Sequence, residues 1–175
     1  MKRTLPLAII ITTMGLFFFS NSQSWAAVKP KACPISAFPD LTNSAGAGAA
    51  YSKPTISVSC TKSELQVSSN GMISFAFEQK TPNALNVANW NWSVPLNPVK
   101  ATSATTIRNV LGTLGFTVSG LPIYGPTEGQ QPAAQAFGDP VYNKILDQCG
   151  GHTGPGREYH HHAITLIDPC NLSKQ

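Results

Sequence analysis

Apolar and polar residues alternate most clearly between Pro54 and Pro95. Thr55-Ile56-Ser57-Val58-Ser59-Cys60 and Glu64-Leu65-Gln66-Val67-Ser68-Ser69 each put their apolar side chains on one side of an extended chain. That period of two predicts strands with one buried face. Asn70-Gly71 tolerates the positive φ of a tight turn, so Met72-Ile73-Ser74-Phe75-Ala76-Phe77 is expected to return as the partner strand of a hairpin. Trp90-Asn91-Trp92-Ser93-Val94-Pro95 predicts a further strand with Trp90, Trp92 and Val94 on one face. Two exposed tryptophans can stack on a sugar. Large aromatics supply much of a small core, however, so these are read as buried.

Beyond Pro95 the pattern breaks into shorter pieces. Thr and Ile favour a strand over Thr102 to Val110. Gly115 to Val118 and Leu121 to Tyr124 read as short strands separated by Ser119-Gly120. Gly125 to Gly138 is a polar loop whose length suggests either a functional loop or lid or simple disorder. Asp139-Pro140 is a helix-start signal, after which Val141, Ile145 and Cys149 share a face and Gly150-Gly151 stops the helix. Tyr159 to Ile167 is extended. The expected fold class is mainly β: a single antiparallel β-rich domain with one short helix before a histidine-rich segment.

The N-terminus changes the picture of length and charge. Lys2 and Arg3, then the apolar run Leu5 to Phe19, then the small residues of Ser24-Trp25-Ala26 form a secretory signal with cleavage expected after Ala26. The apolar run is short for a membrane span, so no stable membrane anchor is expected. Residues 27–53 are an irregular lead-in and residues 54–175 the β domain. The 175-residue chain has a formal charge of +4, which falls to +2 without Lys2 and Arg3. The remaining basic residues are scattered singly, which argues against nucleic acid as a partner. A secreted or periplasmic protein makes disulfides, so Cys33, Cys60, Cys149 and Cys170 are expected to form two. Of three possible pairings, Cys33–Cys60 with Cys149–Cys170 closes the most local loops.

All four histidines lie in Cys149-Gly150-Gly151-His152-Thr153-Gly154-Pro155-Gly156-Arg157-Glu158-Tyr159-His160-His161-His162. On a strand His160 and His162 project together and His161 projects to the other side. His152, carried back by the glycine-rich turn, supplies a third imidazole. Three neutral imidazoles with an open position suit zinc or copper, which would polarise a ligand or acidify a bound water. Asp139, Asp147 and Glu158 are the acids close enough in sequence to orient an imidazole or act as a base. Glu158 shares the parity of His160 and is the candidate catalytic residue. In the competing reading the histidines are structural and the chain is a non-catalytic exported binding module. No Gly-x-Ser-x-Gly elbow, phosphate loop or dinucleotide fingerprint is present, and the reaction, if any, is not named by these residues.

Gly120-Leu121-Pro122-Ile123-Tyr124-Gly125-Pro126, Asp147-Gln148-Cys149-Gly150-Gly151-His152-Thr153-Gly154 and Tyr159-His160-His161-His162 resemble the YHYH-domain family of exported proteins. Ser69-Asn70-Gly71 and Pro95-Leu96-Asn97-Pro98 fit weaker family patterns. The third residue of the namesake motif is tyrosine in that family and His161 here, which leaves His160 and His162 in place. The family often carries a histidine after Asn-Gly, where Met72-Ile73-Ser74-Phe75 has none. The resemblance implies that His152, His160 and His162 belong together, and it implies no particular substrate.

Overall fold

A computed structural model describes residues 32–107, 110–130, 137–165, 168 and 170. The signal segment lies outside them. β1 (Ile56–Cys60), β2 (Glu64–Ser69) and β3 (Trp90–Pro95) form an antiparallel sheet in that order. Its register places Val58, Val67 and Trp92 in one row and Ser57, Ser68 and Asn91 in the next. The apolar rows turn inward, where Leu65, Val67 and Leu96 pack with Ile56, Val58, Trp92 and Val94. The serine and asparagine rows face solvent, with Ser68 Oγ donating to Asn91 Oδ1 at 2.8 Å. Trp92 lies between Trp90 and Phe116, with ring centroids 5.1 and 5.4 Å away and nearly parallel planes. Both its faces are therefore covered, as the core reading requires.

The second sheet runs β4 (Thr113–Phe116), β5 (Pro122–Tyr124), β9 (Tyr159–His161), β8 (Gly151–Thr153). Its strands are antiparallel except for β5 and β9, which pair in parallel through Ile123 and His161. A separate two-stranded piece joins β6 (Glu128–Gln130) to β7 (Phe137–Gly138). One 3-10 turn, η1 (Ile35–Ala37), precedes β1. Among the described residues no helix is long and apolar enough to cross a membrane. The protein is thus mainly β and is closed by two disulfides, Cys33–Cys60 and Cys149–Cys170.

Several stretches differ from expectation: the polar loop Gly125–Gly138 carries β6 and β7, and the extended run from Tyr159 is a strand only as far as His161. Met72 to Phe77 is not a strand, and Asn70-Gly71 does not close a hairpin. Asn70 Oδ1 instead accepts from the amides of Thr55 and Met72, and Gly71 adopts φ 68°. The chain turns into the interior, where Met72, Ile73 and Phe75 are buried with Ala47, Leu85, Leu121, Cys149 and Tyr159. Its backbone groups pair with the lead-in, through Gly46 N–H to Ser74 O and Phe77 N–H to Ala47 O. Thr102 to Ile107 and Val110 likewise form no strand.

The helix expected after Asp139 is a single turn. The cap forms as expected: Asp139 Oδ1 accepts from Val141 and Tyr142 N–H at 2.9 and 3.0 Å. Lys144 then takes φ 55°, which ends the turn. Val141 and Tyr142 are exposed, so no apolar face is buried to sustain a longer helix.

A candidate metal centre built on a histidine hairpin

β8 and β9 face each other in the register His152–His160 and Thr153–Tyr159. Cross-strand partners point the same way, so the rings of His152 and His160 meet on one face of the sheet. Their Nε2 atoms are 3.0 Å apart. His162 lies two residues beyond His160 and shares its side, with Nε2 atoms 3.1 Å apart. His161 projects to the opposite side. There its Nδ1 donates to Cys149 O at 3.0 Å and its ring meets the Tyr159 ring edge-on. Burial, opposed by the Cys149 carbonyl, depresses the His161 pKa.

The turn leading into β8 is set by Asp147. Its carboxylate accepts from the amides of Cys149 and Gly151 and from the Tyr159 hydroxyl, the last at 2.8 and 3.0 Å. Gly151 leaves room for that hydroxyl, because a Cβ there would collide with it. On its outer edge β8 is held by Thr81 and Asn83, whose side chains both donate to Thr153 O. Asp147 therefore positions the strand and does not touch the three clustered imidazoles. Asp139 is occupied as the cap described above.

Gly125 follows β5 and supplies the bond that orients His162. Its carbonyl accepts from His162 Nδ1 at 2.6 Å. The Val110 carbonyl passes so close that any Cβ at position 125 would overlap it, which accounts for glycine here. Tyr124 stacks its ring on His160 at 4.0 Å with planes 17° apart. Burial, reinforced by hydrogen bonding to Glu158, raises the Tyr124 pKa. Glu158 thus lies at the rim beside Tyr124 and packs over Gly154 and Gly156.

The acid that enters the cluster is Glu128, at the start of β6. Its Oε1 lies 2.8 Å from His152 Nε2 and 2.7 Å from His162 Nε2. Glu128, His152, His160 and His162 each present one donor atom, and the four lie within 4.8 Å of one another. Sequence proximity points to Asp139, Asp147 and Glu158. Glu128 stands 24 residues before His152 and was legible only as an acid within the long Gly125–Gly138 loop.

The protonation pattern follows from the partners. His162 Nδ1 faces a carbonyl and must carry hydrogen, so in a neutral ring its Nε2 is a bare lone pair. That lone pair points toward a carboxylate oxygen and a second imidazole. Glu128 Oε1 is buried and makes no well-formed hydrogen bond despite its two close neighbours. Burial alone would raise the Glu128 pKa, but the two adjacent imidazoles outweigh it and hold the carboxyl below its usual range. Burial, with the like-charged neighbours His152 and His162, pushes His160 down to about 3. A carboxylate oxygen and an imidazole lone pair this close in a buried space call for a proton or a metal ion between them. Zinc–nitrogen bonds of ordinary length set tetrahedral nitrogens about 3.3 Å apart. The observed spacings of 3.0 and 3.1 Å are within a few tenths of that, so the four donors could hold a metal ion.

Residues 91–174 match the family model described as YHYH protein, the family that the histidine motif resembles. Comparison with curated proteins and with solved structures gives no match.

Proposed function

We propose that this is an exported metal-binding protein in which His152, His160 and His162, with Glu128, hold zinc or copper. The observation that carries the reading is the fixed tautomer of His162. Its Nδ1 is committed to the Gly125 carbonyl, leaving Nε2 as a lone pair 2.7 Å from a carboxylate oxygen. Two acceptors at that distance repel unless a proton or a metal ion joins them, and the three converging imidazoles favour the metal ion. The all-imidazole and carboxylate donor set suits zinc or copper(II) and lacks the thiolates that favour copper(I). When bound, the metal supplies a Lewis-acidic centre in a water-poor site. The protein's own part is to hold three ring nitrogens on one sheet face and to fix one ring through a main-chain carbonyl. Glu158 at the rim is the candidate for moving a proton at that centre.

Export rests on the signal-like N-terminus and is supported by the two disulfides, which require an oxidising environment. The test is metal content. Untagged mature protein, made in the periplasm and purified without chelator, is expected to carry near-stoichiometric zinc or copper. The His160→Ala, His162→Ala double variant is expected to fold and carry none. Equal absence of metal from both proteins, with no thermal shift on adding zinc or copper, would leave the histidines as a structural device.

A further inference from the structure

The four donors do not belong to one mechanical unit. His152 and His160 face each other across β8 and β9, and His162 follows directly in the same four-stranded sheet. Glu128 opens β6, which among the described residues pairs only with β7, in a separate two-stranded sheet. Burial divides the donors in the same way. The side chains of His152 and His162 are 3% and 2% exposed, whereas that of Glu128 is 27% exposed. Of these three side chains, that of Glu128 is the one in appreciable contact with solvent.

Building on the metal-binding reading, we propose that Glu128 is the exchangeable ligand of this site and that a small carboxylate or related oxyanion replaces it on the metal. The three imidazoles are the permanent set. The class of the incoming ligand follows from what it displaces. The fourth position already accommodates a carboxylate oxygen, and three neutral imidazoles leave the charge of a divalent ion uncompensated. In the exchange one metal–carboxylate bond breaks and one forms, so the charge bound to the metal does not change. The released Glu128 carboxylate remains beside the site and can accept a proton brought in by the ligand.

The experiment uses cobalt(II) in the full mature protein and acetate as the probe, comparing the parent with Glu128→Ala and Glu128→Gln. Visible absorption of cobalt reports its ligands independently of any activity, and circular dichroism checks that each variant is folded. All three proteins are expected to bind cobalt, with a changed spectrum in Glu128→Ala. Acetate should restore a parent-like spectrum in Glu128→Ala. It should act there at a concentration about tenfold or more below that needed to perturb the parent, because a tethered carboxylate competes at an effective concentration of at least about millimolar. Loss of cobalt from both folded variants would make Glu128 a permanent ligand and overturn the proposal. So would acetate acting equally on parent and variants. Absence of cobalt from the parent itself would instead remove the metal reading, and this inference with it.

Discussion

The two principal sheets solve different problems with the same backbone geometry. In β1–β3, apolar and polar rows separate cleanly, and each side chain's place follows from its parity. In the sheet that carries the histidines, β8 and β9 are three residues long and buried at every position. Polar side chains line both of their faces: Asp147 serves Tyr159, Cys149 O serves His161 and, just past β9, Gly125 O serves His162, whereas the Nδ1 atoms of His152 and His160 are buried without a partner. The first sheet is stabilised by removing apolar surface from water, a term tolerant of detail. The second depends on pairing buried polar groups one by one, a term that fails sharply when a partner is lost.

The strongest way to break this contrast is the double variant His160→Ala, His162→Ala. Metal at a thousandfold excess over its Kd should stabilise the parent by about 4 kcal/mol and the variant not at all, as read from thermal unfolding with and without zinc. Next is Ile73→Ala, in the core that packs Leu121, Cys149 and Tyr159 beside the histidine sheet. Ile73 has no exposed surface, so the loss should be about 3 kcal/mol in urea denaturation, independent of metal.

A pH titration of metal-free protein separates the halves further. His160 is held neutral down to about 3 when folded, while the unfolded chain protonates it near the ordinary imidazole value of about 6.5. The unfolded state therefore binds more protons below that value. Stability should fall as pH drops from about 6.5 toward 3, with a slope of up to about 1.4 kcal/mol per pH unit. The slope should shrink in His160→Phe.

His161→Tyr, which restores the family's namesake residue, should cost about 1 kcal/mol through loss of the Cys149 contact and leave metal content unchanged. A loss of metal would show that the two faces of β9 are not independent. The smallest effect is expected at Ser57→Ala on the exposed face of β1, at about 0.5 kcal/mol or less.

The same contrast governs how much was legible in the sequence. Parity alone placed Val67 inside and Ser68 outside, and it separated His161 from His160 and His162. Local signals also located the Asp139 cap, but a cap starts a helix and cannot extend one. With Val141 and Tyr142 exposed and Lys144 at positive φ, the turn ended. Met72 to Phe77 departs from a strand for the opposite reason: the consecutive burial of Met72 to Phe75 comes from a chain passing through the core, which alternation does not describe. Glu128 could not be assigned to the cluster, because its contact with His152 and His162 depends on how β5 and β6 are carried to β9. Nothing within a few residues of either histidine encodes that meeting.

His162 is steered by the carbonyl of Gly125, a group every residue possesses. Its aim is therefore written in the path of the chain rather than in the identity of a neighbouring side chain. Anyone transplanting this centre onto another scaffold would have to copy the segment from Tyr124 to Pro126, together with the strand pairing that brings it to β9. Grafting the histidines alone would move the ligands and leave behind what points one of them.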